Sequence, residues 1–226
     1  RELAEAMVMN ESEDLLKLSG YGPEVAVYRS LFRSTNLHIN EGGKWKFVRP
    51  DPQKNKELSK VWEEIDMMLG AAQDLPYGLA VRDVIDRLKQ TPFGMREGPI
   101  PLFVCHYLIV NADEIALYQE GAYKPYFGDA EIALMIKRPE LFSIRYYAPT
   151  GLGRDVVQAY LQVLNIDLLH LDANVRNPSL LKIITPLLQF MEGLPEYTRY
   201  TRSLSLAAQR LRGSILNARE PINLLF

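Results

Sequence analysis

Arginine and tyrosine side chains alternate near the C-terminal end of the sequence, between Tyr197 and Arg202. Residues 195–226 contain five arginines against two glutamates, a local balance of +3. Arginines interleaved with aromatic rings can hold phosphate groups and stack on bases. A solvated helix face with salt bridges, or a contact with a partner domain, would use the same residue types. The candidate contact residues are Arg199, Arg202, Arg210 and Arg212, together with Lys124 from a predicted hairpin.

Residues that usually hold metals or act as nucleophiles are scattered in this sequence. His38, His106 and His170 are far apart and have no carboxylate or cysteine at metal-ligand spacing. His106 and Cys105 lie within an apolar run, and no base is close to Cys105 in sequence. Both are therefore expected to be core residues.

Other motifs of catalysis and nucleotide binding are also missing from the sequence. Gly151 and Gly153 do not form a dinucleotide fingerprint, and no P-loop lysine or GxSxG elbow occurs. The carboxylate pairs Glu63-Glu64 and Asp113-Glu114 fall where a solvated helix face or a helix-to-strand turn is expected. We predict no catalytic residue, no metal site and no cofactor in this chain.

The composition is that of a folded protein without a strong overall charge. The 226 residues are 47% hydrophobic and 24% charged, with a net charge of -2 and a single cysteine. No general attraction to nucleic acid is expected, and no internal disulfide can form. Neither a membrane span nor a signal peptide is expected, so the predicted location is the cytoplasm. The start without methionine favours a segment of a longer polypeptide.

Periodicity predicts a mainly helical α+β protein. Helices are expected at residues 2–17, 24–33, 57–69, 81–89, 99–110 and 130–137, the last capped by Asp129. KWKFV at 44–48 alternates as a strand does. EIALY and AYKPY flank a Gly-containing turn, which predicts a hairpin with SIRYY at 143–147 as a third strand.

The order of turn, helix and hairpin between residues 75 and 150 is that of a winged-helix-like core. The helix before the hairpin, residues 100–110, has almost no polar side chains, although a helix that reads a DNA groove needs them. Residues 80–147 carry 8 basic against 9 acidic residues. This helix is therefore expected to be buried, within a scaffold that contacts protein.

The predicted organisation is an N-terminal helical segment (1–74), the winged-helix-like module (75–150) and a C-terminal helical segment (151–226), which can also pack as a single domain. APTGLG at 148–153 is the expected hinge. Helices are expected at 155–164, after Asn177-Pro178, and from the cap Ser205 to about Arg219.

Three stretches, TPFGMREGPIPLFVCHYLI, EIALYQEGAYKPYF and KRPELFSIRYY, resemble a module of very large bacterial P-loop NTPases. The closing LPEYTRYTRSLSLAAQRLRGSILNAREPINLLF is similar to a later part of the same proteins. These belong to phage-resistance systems of the BREX type and related STAND-like ATPases. The resemblance implies a non-ATPase, C-terminal module, with the ATPase domain before it in the polypeptide.

Two functions follow from these observations as expectations. The first is a non-catalytic interaction module that couples the ATPase to a protein partner or packs on the ATPase domain of the same polypeptide. The alternative is a nucleic-acid-binding module that uses the C-terminal arginines and Lys124. No membrane partner is expected.

Overall fold

The computed structural model describes residues 1–75, 77–112, 114–124, 127–146, 159, 162 and 193–217. The chain divides into two compact units; the described residues up to 146 belong to the first and those from 159 onward to the second. The described part is mixed α+β with small antiparallel sheets, so the predicted α+β class is confirmed. The domain boundaries at 74 and 150 stay predictions, although elements on both sides of residue 75 share one hydrophobic core.

The first unit contains both helices and strands. Its helices are α1 (Glu2–Met9), α2 (Pro23–Tyr28), α3 (Lys56–Ala71), α4 (Val81–Lys89), α5 (Pro99–Val110) and α6 (Asp129–Lys137). Its strands are β1 (His38–Glu41), β2 (Lys44–Phe47), β3 (Leu79–Ala80), β4 (Ile115–Gln119), β5 (Ala122–Lys124) and β6 (Phe142–Tyr146). The bounds of α4 and α5 agree with those predicted from apolar periodicity.

Helix α1 is shorter than predicted. It ends at Met9, and the chain then makes a tight turn at Asp14–Lys17, where Leu15 and Leu16 have φ of 51° and 53°. Leu16 is fully buried. The prediction of one helix over residues 2–17 was wrong because burial of Leu16 outweighs the cost of a left-handed backbone.

Helix α6 also begins differently from the prediction. Asp129 is its first residue, and Gly128 occupies the cap position. The backbone N–H of Gly128 donates to Oε2 of Glu131 at 3.2 Å. The carboxylate that closes the first turn is therefore that of Glu131, and the assignment of the cap to Asp129 was wrong.

The larger sheet has the strand order β3-β6-β4-β5, with every pair antiparallel. Glu120 and Gly121, both with positive φ, join β4 to β5, as expected for a two-residue hairpin loop. The predicted hairpin and its third strand, β6, are confirmed. Sequence reasoning missed β3, which pairs with β6 next to Gly78. A Cβ at Gly78 would lie 2.5 Å from the carbonyl oxygen of Ile144, so glycine is required there.

A separate two-stranded ribbon pairs β1 with β2. The alternation of KWKF correctly predicted β2, whereas its partner β1 (HINE) was missed. Trp45 on β2 lies under the guanidinium of Arg33, 4.1 Å from Cζ to the ring centroid. The inward residues of the ribbon, His38 and Phe47, join the core.

Helix α5 lies at the centre of the core. Seven of its residues are buried: Ile100, Phe103, Val104, Cys105, His106, Tyr107 and Leu108. Helix α1 packs on α5, as do α4 and β2. The expectation that this apolar helix is buried is confirmed.

The second unit is described at residues 193–217, apart from two single residues. It contains the short helix α7 (Glu196–Tyr200) and the longer α8 (Leu206–Asn217). Oγ of Ser205 accepts the backbone N–H of Ala208 at 3.2 Å, so the predicted cap is confirmed. The hinge at 148–153, the helix at 155–164 and the helix after Asn177-Pro178 fall outside the described residues, apart from residues 159 and 162, as does the end of the last helix.

Candidate functional site

The C-terminal arginines have different surroundings. Arg212 on α8 donates from Nη1 to the carbonyl oxygens of Thr198, at 3.2 Å, and Thr201, at 2.7 Å. These carbonyls lie at the C-terminal end of α7, where helical hydrogen bonding leaves acceptors unused. Arg212 thus joins α7 to α8, and its guanidinium is committed to the fold.

Arg199 and Arg202 lie close to this junction. Nε of Arg199 is buried, with no hydrogen-bond partner among the described residues. Arg202 is exposed, and its carbonyl oxygen accepts Nε2 of Gln209 at 2.9 Å. Arg210 is exposed on α8. Of the four predicted arginines, Arg202 and Arg210 are the ones that the fold leaves on the surface.

Large apolar side chains lie exposed beside these two arginines in sequence. Tyr197 and Tyr200, three residues apart on α7, are 77% and 67% exposed. On α8 the exposed fraction is 70% for Leu206 and 49% for Leu211. We call Tyr197, Tyr200, Arg202, Leu206, Arg210 and Leu211 the C-terminal surface. The two leucines were not among the predicted contact residues, because in the sequence they differ from other apolar residues only in belonging to a weakly amphipathic helix.

Lys124, the remaining predicted contact residue, lies at the end of β5 and is half-buried. It belongs to the first unit, whereas the four arginines belong to the second. Strand β5 forms an edge of its sheet.

A polar cleft in the first unit was not predicted. It has a volume of about 370 Å³ and lies between α3, α5, the start of β4 and the end of β6. The polar residues of its lining include Arg49, Asp66, Tyr107, Asn111, Glu114 and Tyr146.

The floor of the polar cleft is a chain of three side chains. The hydroxyl of Tyr107 donates to Oδ1 of Asp66 at 2.6 Å, and Nη2 of Arg49 lies 2.9 Å from Oδ2 of the same carboxylate. Burial raises the pKa of Tyr107, and its bond to the Asp66 carboxylate raises it further. Tyr107 therefore remains a neutral hydrogen-bond donor. The sequence separations, 17 residues and 41 residues, hide this cluster from motif analysis.

The buried histidines and the cysteine behave as core residues. His38 donates from Nε2 to the carbonyl oxygen of Glu11 and accepts the hydroxyl of Tyr28 at Nδ1, at 2.8 Å and 2.7 Å. Burial lowers its pKa and raises that of Cys105 to about 12, so this thiol is not a ready nucleophile.

His106 makes a single hydrogen bond. Its Nε2 lies 2.9 Å from the carbonyl oxygen of Val48, which can only accept, so Nε2 carries the proton. Nδ1 has no partner among the described residues. Aromatic rings surround the imidazole, including Trp62 at 5.2 Å between centroids. Burial lowers the pKa of His106 to about 3. The imidazole is neutral and structural.

The two carboxylate pairs of the sequence, Glu63-Glu64 and Asp113-Glu114, lie in different surroundings. Oε1 of Glu64 lies 2.5 Å from Nε of Arg87, an ion pair that ties α3 to α4. Glu114 lines the polar cleft, whereas Asp113 is outside the described residues. Across the described ranges, no group of three or more His, Cys, Asp or Glu side chains could hold a metal ion.

Comparisons of the chain with protein-family models, curated proteins and solved structures found no match. Within the described part of the chain, no helix combines the length and apolar character needed to cross a membrane.

Proposed function

We propose that this chain is a non-catalytic interaction module of a larger bacterial phage-defence P-loop ATPase, which contacts a protein partner through the C-terminal surface. The observation that carries the proposal is the exposure of Tyr197, Tyr200 and Leu206 beside Arg202 and Arg210. Tyrosine and arginine are the residue types that most often anchor protein interfaces.

The burial of α5 supports a scaffold role for the first unit. Seven of the twelve residues of α5 are buried, and the other five are half-buried and apolar, so the helix offers no polar face to a DNA groove. The description of residues 75–150 as winged-helix-like is part of the proposal and is supported by the chain order β3, α4, α5, β4, β5. Strand β6 lies between β3 and β4 in the sheet. The link to phage-defence ATPases is supported by the sequence stretches that resemble them.

The test of the interaction uses the ATPase domain of the same polypeptide as the first partner. Isothermal titration of that domain with this chain should show binding, and Tyr197→Ser with Tyr200→Ser should weaken it at least tenfold. Tyr21→Ser is the matched control, because Tyr21 is 96% exposed but lies in the first unit. An equal loss of affinity in Tyr21→Ser, or no loss of affinity in the double variant, would contradict the proposed surface.

A second test concerns catalysis. The purified chain should neither bind nor hydrolyse ATP. Turnover that persists through mock-purification controls contradicts the non-catalytic assignment.

The alternative function is nucleic-acid binding. It is favoured by the placement of exposed tyrosine rings next to exposed arginines, since bases stack on such rings. Fluorescence anisotropy of labelled duplex and single-stranded DNA at two salt concentrations separates the two functions. Binding that falls steeply with salt, and that Arg202→Gln with Arg210→Gln flattens, establishes the alternative. Absence of binding at low salt leaves the protein-contact function.

A further inference from the structure

The polar cleft has an unbalanced charge. Arg49 and Asp66 pair with each other, with 2.9 Å between Nη2 and Oδ2. Glu114 also lines the cleft and is exposed, but it pairs with no basic side chain among the described residues. One negative charge therefore remains in the lining.

The hydrogen-bonding groups of the cleft include acceptors that remain available. Both oxygens of Asp66 are engaged, by Tyr107 and Arg49. Nδ2 of Asn111 donates to the carbonyl oxygen of Tyr107 at 2.9 Å, and its Oδ1, with no donor among the described residues, lines the same cleft as Glu114. A ligand that brings N–H donors would satisfy these groups.

An aromatic ring forms part of the wall. Tyr146 lines the cleft and is 46% exposed, so one part of its ring is accessible. Aromatic faces attract ammonium and guanidinium groups. The space is also larger than a single ion needs: its volume is about 370 Å³, and a Cβ added at Gly70 in the lining would meet no atom within 4 Å.

We propose that the polar cleft binds an organic cation, with its ammonium or guanidinium group between Glu114 and the ring of Tyr146. Asn111 accepts a hydrogen bond from the bound cation, and the Arg49–Asp66–Tyr107 chain forms the floor. This site lies in the first unit and does not depend on the C-terminal surface. A small amine and a lysine or arginine side chain of a protein offer the same chemistry.

The test is a titration of the ¹⁵N-labelled chain, followed by amide chemical shifts. The probes are N-acetyl-arginine amide, N-acetyl-lysine amide and spermidine. N-acetyl-citrulline amide is the matched neutral control, because it keeps the shape of the arginine probe without its charge. Sodium sulfate tests for an anion. We expect saturable shifts around Asn111 and Gly70 with at least one cation, and at least fivefold weaker binding of the citrulline probe.

Variants assign the binding to the cleft. Glu114→Gln should weaken binding of the cation about three- to fivefold, as loss of a partly exposed ion pair does. Glu63→Gln is its control, since Glu63 is an exposed carboxylate of α3 outside the lining. Tyr146→Leu should weaken binding, whereas Tyr146→Phe, which keeps the ring, should not. Thermal unfolding of each variant establishes that it is folded.

Four other outcomes would overturn the proposal. Equal binding of the arginine and citrulline probes would show that charge is not recognised. Shifts of the same amides by sulfate would show that Arg49 opens to an anion. Unchanged binding by folded Glu114→Gln, or no shift with any cation at tens of millimolar, would exclude the cation site.

If spermidine alone binds, the ligand is a free amine; if the arginine or lysine probe binds better, it is a protein side chain.

Discussion

Helices α5 and α8 are both 12 residues long, yet they differ in nearly every other respect. Helix α5 has seven buried residues and packs within the aromatic core. On α8, no side chain described, from Leu206 to Arg212, is buried. A leucine on a helix is not buried by its apolar character alone: Leu108 is fully buried, whereas Leu206 is 70% exposed. The presence of packing partners decides it.

Loss of an aromatic side chain from α5 is expected to have the largest effect on the free energy of unfolding. Phe103→Ala should lower the free energy of unfolding by about 3–5 kcal/mol, because Phe103 is fully buried and its removal leaves a cavity. Leu206→Ala on α8 is the counterpart and should change it by less than about 0.5 kcal/mol. Urea denaturation followed by circular dichroism measures both. A loss of more than 2 kcal/mol for Leu206→Ala would mean that α8 is packed in solution.

The second effect depends on pH. The pKa of His106 is about 3 in the folded protein and close to 6.5 when unfolded, so the unfolded state binds the extra proton between these values. The contribution of neutral His106 to the free energy of unfolding is therefore complete above about pH 6.5. This contribution is lost as the pH falls, because protons bind the unfolded state more tightly. This single group should contribute a slope of about 1 kcal/mol per pH unit between pH 6 and 4.

The role of His106 is tested by the slope of the free energy of unfolding against pH in the unchanged protein and in a variant. His106→Gln should unfold with a smaller loss of stability between pH 6 and pH 4 than the unchanged protein, by about 1 kcal/mol per unit. His38→Gln is a useful second variant, because burial also lowers the pKa of His38. Parallel pH profiles for His106→Gln and the unchanged protein would mean that His106 is already charged or accessible in the fold.

A smaller effect is expected at the edge of the core. Tyr107→Phe keeps the ring and removes the hydroxyl that donates to Asp66. The expected loss is about 1–2 kcal/mol, since this bond goes to a charged but partly exposed carboxylate. Asp66→Asn and the double variant complete a thermodynamic cycle. Additive losses would show that the two groups are not coupled.

The smallest effect concerns the second unit. Ser205→Ala removes the oxygen that accepts the N–H of Ala208 and should destabilise α8 by about 1 kcal/mol. Hydrogen exchange should become faster at Ala208 and Gln209, with no change at Val104 or Leu108 of α5. Faster exchange in both helices would show that the two regions unfold together.

Sequence reasoning succeeded where local pattern and packing agree. The four apolar residues of α4 recur at helical spacing and are buried, and the turn at Glu120-Gly121 has its own chemical signature. It failed for β3, which has two residues and exists because of its pairing with β6, more than sixty residues later. The turn at Leu15 and Leu16 likewise depends on a distant core.

The candidate sites show the same limit. The arginines could be selected from their local density, but not the bonds that commit Arg212 to α7. The polar cleft could not be found, because Arg49, Asp66 and Tyr107 come from three elements and none of them belongs to a motif. Nothing in the sequence connects Tyr107, within the apolar run of α5, with Asp66.

The position of the two tryptophans has a practical consequence for spectroscopy. The chain contains two, Trp45 and Trp62, and both lie in the first unit. Trp62 is buried beside His106 and Tyr107, while Trp45 is half-buried beneath Arg33. Their emission should therefore have a blue component and a red component. Selective excitation of tryptophan therefore reports on the ribbon and the core of the first unit, without direct signal from Tyr197 and Tyr200 of the second unit.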